Sequence, residues 1–148
     1  MANYHFKTTW KLNAPLDKVW YEIKHAHQWP QWWKGVEKAE EVQEYVGDFT
    51  FRSVLPYSLS FRSNVVAIED MKRIEGRASG ELTGIGIWHF TTEGSYTVVH
   101  YYWTVKTTKW WMNFLSPIAR PAFEWNHNII MRWGGEGLAQ RLGCELVA

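Results

Sequence analysis

The chain has one cysteine, Cys144, in 148 residues, so no internal disulfide can form. Its place near the carboxyl end reads as incidental rather than catalytic. Charge of one sign is also lacking. Sixteen basic and 15 acidic side chains leave a formal net charge of +1, which argues against a general electrostatic partnership with nucleic acid or acidic lipid. Nowhere do 18 apolar residues run consecutively, so no transmembrane segment is expected. The start, Met1-Ala2-Asn3-Tyr4-His5-Phe6-Lys7, lacks the charged and apolar regions of a signal peptide, and a cytoplasmic location is the expectation. No Pro/Gly/Ser-rich linker, charge block or internal repeat divides the chain, so 1–148 reads as a single domain. Such a length buries about two thirds of its unfolded surface. His25 and His27 have no carboxylate or cysteine at matching ligand spacing, so no metal site is expected. No phosphate loop, Ser-His-Asp arrangement or close carboxylate pair is visible, and no cofactor is expected.

Aromatic rings are what the chain has in excess: 11 tryptophans, seven tyrosines and seven phenylalanines. Each ring can bury roughly 150–250 Å². The inventory fits either an overfilled core or a cavity walled with flat, rigid side chains. The polar tips of tyrosine and tryptophan tilt the balance toward a cavity, because an all-apolar core offers them no partners.

Patterning gives the order of elements. Tyr4, Phe6, Thr8, Trp10 and Leu12 alternate with polar residues, the period of a half-buried strand. Asn13-Ala14-Pro15 supplies a capping side chain and a helix-starting proline. Leu16, Val19, Trp20 and Ile23 then form the apolar stripe of a short helix. Trp29–Trp33 reads as a turn or second short helix ending at Gly35. Val36–Val46 is a charge-rich edge strand, Gly47-Asp48 a turn, and Phe49–Leu55 the next strand, broken at Pro56-Tyr57. Leu59–Ala67, Arg73–Glu81, Ile85–Thr92 and Tyr96–Lys106 complete the strands. The small residues Gly76, Ala78 and Gly80 on one face of Arg73–Glu81 mark a place where the sheet bends. Pro117 and Pro121 limit the next stretch to a turn or short helix. From Ala122 to about Leu142 one long helix is expected, with Phe123, His127, Ile130, Gly134, Leu138 and Arg141 on one side. Glu124, Asn128, Arg132, Glu136 and Gln140 form its polar outer stripe. A strand, one or two short helices, six more strands and a long helix make an α+β arrangement. Its curved antiparallel sheet of about seven strands wraps a carboxyl-terminal helix.

Ala14-Pro15-Leu16-Asp17-Lys18-Val19-Trp20, Trp29-Pro30-Gln31-Trp32-Trp33, Leu55-Pro56-Tyr57, Ala78–Gly84, Thr97–Trp103 and the segments Trp125–Asn128 and Met131–Leu138 stand in a telling order. In that order and spacing the chain resembles the START-like superfamily, also called helix-grip or SRPBCC, which holds birch pollen allergen-like and polyketide cyclase/dehydrase-like proteins. The likeness covers nearly the whole chain, and its last segments resemble the polyketide cyclase/dehydrase-like branch. It implies the helix-grip fold and a pocket between sheet and helix. It does not name a reaction, because one fold hosts many functions.

Trp33, Phe51, Phe61, Trp88, Phe90, Tyr101, Trp103 and Phe123 would converge if sheet and helix enclose one space, together with Ile130. His127, on the sheet-facing side of the last helix, could hydrogen-bond a ligand, act as general base, or serve as a structural histidine. Gly134, Gly135 and Gly137 each cost about 1 kcal/mol relative to alanine in a helix interior. Either close backbone contact or volume left open for a ligand would offset that cost. Glu22, Arg52, Arg62 and Arg77 could reach a pocket mouth or be solvated charges. His89 and His100 are out of phase with Trp88 and Tyr101 and should face water.

The function expected is binding of a hydrophobic or aromatic small molecule, lipid- or polyketide-like, in an apolar pocket with few polar groups. A polyketide cyclase or dehydratase using His127 and an inward arginine is the alternative, and a ligand-free protein-interaction module the second alternative. The expected partner is thus a hydrophobic small molecule and not nucleic acid, with a homodimer left open.

Overall fold

Residues 3–147 are described by the computed structural model. Seven strands form one antiparallel sheet: β1 (Asn3–Leu12), β2 (Val36–Gln43), β3 (Val46–Arg52), β4 (Ser58–Glu69), β5 (Arg73–Gly80), β6 (Leu82–Glu93) and β7 (Tyr96–Thr107). Their spatial order is β1-β7-β6-β5-β4-β3-β2. Sequential hairpins therefore account for every pairing except β1 with β7. The insertion of α1 (Leu16–Lys24) and a 3-10 segment (Ala26–Gln31) after β1 sends the chain to the far edge of the sheet. α2 (Trp110–Leu142) lies across the concave face. This is an α+β helix-grip architecture.

The period of two does what the sequence implies. Along β1, Tyr4, Trp10 and Leu12 are buried while Asn3, His5, Lys7 and Thr9 are exposed. Along β6 and β7, Trp88, Phe90, Val99 and Val105 point inward. The register places Trp88 opposite Tyr101 and Phe6 opposite Trp103, so aromatic rings meet in cross-strand pairs. One apolar cluster joins Trp10, Trp20, Trp29, Trp33 and Trp88 with Leu138. A second gathers Tyr4, Leu82, Val105, Met112 and Phe123 beneath the first half of α2.

Several local expectations are corrected. The β2–β3 turn falls at Glu44-Tyr45, not at Gly47-Asp48: β2 ends at Gln43, and Tyr45 takes φ 65°. Gly47 lies inside β3, where a Cβ would stand 3.0 Å from the ring of Phe49. β3 stops at Arg52, short of Leu55. Pro15, rather than Asn13, occupies the α1 cap position, and no side chain caps that helix.

The largest correction concerns Pro117 and Pro121, which do not break the chain: a single 33-residue helix runs through both. The two prolines are four residues apart and both exposed. The hydrogen bonds they remove thus cluster on the outward side, where water can satisfy the carbonyls. The inward side of the same stretch is held by Met112, Ser116 and Phe123. Its outward side carries Trp110, Phe114 and Ile118, which are 76%, 77% and 86% exposed.

α2 meets the rest of the protein through its own buried side chains, Met112, Phe123, Met131 and Leu138, and through close approach of its backbone. Trp10 Nε1 donates to the Met131 carbonyl at 3.0 Å, and Trp33 Nε1 to the Ile130 carbonyl at 2.9 Å. A Cβ on Gly134 would stand 2.5 Å from the Trp33 ring, and one on Gly135 would stand 2.9 Å from Trp10. The glycines exist so that two indoles can reach the helix backbone.

Candidate functional site

Between sheet and α2 the interior does not close. A hollow of about 340 Å³ remains, bordered by residues from every strand, from α1 and the 3-10 segment, and from α2. Its walls are rings. Trp88 stacks on Tyr101 at 4.0 Å, Phe51 on Phe61 at 5.7 Å, and Phe49 on Phe61 at 5.8 Å. Gly76 and Ala78 of β5 and Gly86 of β6 all border the space, and Gly86 makes way for the Tyr101 ring of the wall. A Cβ on Gly86 would meet the Tyr101 hydroxyl at 2.4 Å.

Nine of the residues singled out from sequence border this hollow: Trp33, Phe51, Phe61, Trp88, Tyr101, Trp103, Phe123, His127 and Ile130. Phe90 and Gly134 do not. Phe90 is one strand period beyond Trp88 and packs edge-on against Trp20 of α1, 5.0 Å between centroids. Gly134 is filled by Trp33 and Trp10, so it leaves no ligand volume. No arginine borders the space among the described residues. Arg62 is held on the surface by Asp48, with Nε to Oδ1 2.7 Å, and that guanidinium lowers the Asp48 pKa. Arg52 and Arg77 are exposed. Glu22 is buried away from the hollow and accepts a hydrogen bond from Arg141 Nε at 3.1 Å. His89 and His100 lie on the other face, where His100 bonds Thr9 Oγ1 at 2.9 Å.

Polar groups inside are few and distinct in state. His127 is 8% exposed, and neither ring nitrogen has a hydrogen-bond partner among the described residues. Burial drives its pKa down to about 4; the neighbouring Asn128 side chain pulls the other way by less, without reaching hydrogen-bonding geometry. The ring is therefore uncharged at neutral pH. Burial likewise raises the pKa of the Tyr101 phenol. It raises that of Tyr57 too, against the opposing hydrogen bonds of Ser53 and Asn126, so both hydroxyls stay protonated.

Asn126, which periodicity gave no reason to select, fastens the loop after β3 to α2. Its Oδ1 accepts from the Val54 amide at 2.9 Å, and its Nδ2 donates to the Tyr57 hydroxyl at 3.1 Å. Tyr57, Leu59, Tyr4, Phe6 and Met131 also border the space without having been singled out as site residues. The strand alternation that places Tyr4 and Phe6 inward was the available signal. Asn126→Ala should cost about 1–2 kcal/mol in urea denaturation, because it removes two part-buried hydrogen bonds that tie the loop to α2. A loss under about 0.5 kcal/mol would show that the loop holds without it.

At one end the lining turns charged. Lys24, His25 and His27 come from α1 and the segment after it, and Glu40, Glu41 and Glu44 come from the β2–β3 hairpin. Among the described residues no group of three or more His, Cys, Asp or Glu is placed to hold a metal ion.

Comparison with solved structures gives this arrangement a class. The chain superposes on a START superfamily protein from Mycobacterium smegmatis with a TM-score of 0.75, at 11% identity, covering 94% of this chain and 97% of that one. It superposes on the Zhui aromatase/cyclase from Streptomyces sp. R1128 at 0.70 and 14% identity, covering 96% and 94%. On the di-domain ARO/CYC BexL of the BE-7585A biosynthetic pathway the TM-score is 0.73 at 16% identity, over 95% of this chain. The chain spans only 50% of that two-domain protein. No family model and no curated sequence matches the chain. The fold is the START-like, helix-grip arrangement that these structures share. No helix among the described residues is long and apolar enough to cross a membrane.

Proposed function

We propose that the protein reversibly binds a hydrophobic or aromatic small molecule, lipid- or polyketide-like, in the hollow between sheet and α2. The observation that carries this reading is the open volume of about 340 Å³ walled by aromatic rings. It falls within the range of ligand pockets, at the small end. Similarity in fold to aromatase/cyclase and START proteins supports the same reading.

Binding is better supported than turnover. A cyclase acting through His127 and an inward arginine lacks the arginine among the residues bordering the hollow. A histidine with its pKa near 4 is also a feeble base at neutral pH.

Filling the space tests the proposal. Ala78→Phe puts a ring into the hollow from β5, where Ala78 borders it with a single methyl. Naphthalene, followed by calorimetric titration, should bind the native protein and lose at least tenfold in affinity to the variant. The melting temperature should hold, because the new ring fills void instead of displacing packed atoms. Unchanged affinity in a folded Ala78→Phe protein would contradict binding in the hollow.

A further inference from the structure

Within the hollow one side chain has been placed at a cost that packing does not explain. The His127 imidazole stacks on Phe6, with centroids 3.7 Å apart and planes 12° apart, and lies nearly parallel to Trp103 at 5.5 Å. Two aromatic neighbours thus fix its orientation. Both of its nitrogens are nevertheless buried without a partner among the described residues. Buried polar atoms are nearly always paired, and the exceptions call for an explanation. Trp32 Nε1 is also unpaired, but Trp32 does not border the hollow. His127 does.

The distribution of charge sharpens the reading. Every charged residue bordering the hollow belongs to α1 or the β2–β3 hairpin: Lys24, Glu40, Glu41 and Glu44. β1, β4 to β7 and α2 contribute none. An anionic guest lying against His127 would be desolvated with no cation beside it, the costliest kind of burial. With its anionic end turned to the charged mouth, it would meet three carboxylates against one lysine. A neutral imidazole instead offers one N–H donor and one lone-pair acceptor. A guest hydroxyl can satisfy either nitrogen, and a guest carbonyl can take the N–H.

Resting on the proposed binding role, we infer that His127 is the polar anchor for an uncharged guest with a hydroxyl or carbonyl on a flat apolar body. The same hollow disfavours carboxylate-bearing guests such as fatty acids. The depressed pKa is consistent with this, since it keeps the anchor uncharged under physiological conditions.

Three probes sharing one ring system test the inference: naphthalene, 2-naphthol and ionised 2-naphthoate, titrated calorimetrically at pH 7.5. They are titrated into the native protein and into His127→Leu and His127→Phe, with melting curves to verify that each variant folds. In the native protein 2-naphthol should bind about tenfold more tightly than naphthalene. 2-Naphthoate should bind at least tenfold more weakly than 2-naphthol. In both variants the advantage of 2-naphthol over naphthalene should vanish while naphthalene still binds. Equal affinity for the hydrocarbon and the alcohol, an alcohol advantage that persists in both variants, or naphthoate binding as tightly as naphthol would overturn the anchor and leave the hollow standing. Failure of all three probes to bind would overturn the hollow as a binding site and the anchor with it.

Discussion

Replacing His127 by leucine makes the protein more stable. The native imidazole keeps two buried nitrogens unpaired, a penalty of about 1–3 kcal/mol. Leucine forfeits the ring contacts with Phe6 and Trp103, about 0.5–1.5 kcal/mol. The balance is a gain of about 1 kcal/mol at pH 7.

Acid enlarges the difference. In the unfolded chain this histidine takes up a proton near its ordinary value of 6.5, whereas burial in the folded protein delays uptake to about 4. Between those values the unfolded state binds more protons, so His127's contribution is complete above pH 6.5 and is lost progressively as pH falls toward 4. At pH 5 the native protein should have lost about 2 kcal/mol through this group. The variant loses nothing there, so its advantage grows to about 3 kcal/mol. The rings packed on His127 are Phe6 from β1 and Trp103 from β7, neither of them titratable, and the Asn128 side chain beside it does not titrate either. His100, whose pKa is also lowered chiefly by burial, adds a slope of the same sign that both proteins share. Urea denaturation at pH 7 and pH 5 measures all of this. A variant less stable than native at both pH values would mean that the histidine is structural.

Gly137→Ala should do the opposite, and severely. In an exposed helix interior this change gains about 1 kcal/mol. Here the added methyl would lie 1.7 Å from the Trp32 carbonyl oxygen, with the Trp33 Cα at 3.6 Å. The obstacle is backbone, so no rotamer change relieves it. α2 must move away from the 32–33 segment. That movement pulls the Ile130 carbonyl from the Trp33 indole and disturbs the packing of Trp33 between Phe51 and Trp88. A loss above 4 kcal/mol is expected, a size reserved for clashes of this kind. The melting temperature should fall by about 10 °C or more. Gln140→Ala, exposed on the same helix, should change little by comparison. A Gly137→Ala protein within 1 kcal/mol of native would contradict the close helix contact.

What could be seen in advance was whatever a local pattern encodes. Alternation in β1, β6 and β7 sets which rings point inward, so Trp88, Tyr101 and Trp103 were legible one residue at a time. The same rule misjudged Phe90, because phase says which face a ring is on and not how far along the strand the hollow extends. The three glycines of α2 were legible as a cost needing compensation, but the compensating partners, Trp10, Trp33 and the Trp32 carbonyl, are about a hundred residues away in sequence. Pro117 and Pro121 misled because local propensity cannot register that both face water while Met112 and Phe123 hold the opposite side. Asn126 left no trace in periodicity, since its worth lies in two hydrogen bonds to a loop some 70 residues earlier. That Arg52, Arg62 and Arg77 stay out of the interior was legible too, since each is one residue out of phase with an inward neighbour, Phe51, Phe61 and Ala78.

The central claim is that a guest enters the space beneath α2. Intermolecular nuclear Overhauser effects between naphthalene and the methyl groups of the protein test it most directly. Ile130 and Ile118 lie on the same helix, but Ile130 borders the hollow and Ile118 is 86% exposed. Cross-peaks to Ile130, Met131 and Val105, with none to Ile118, are the expected result. Cross-peaks confined to Ile118 and its exposed neighbours, with the inner methyls silent, would place the guest on the outside and contradict the account.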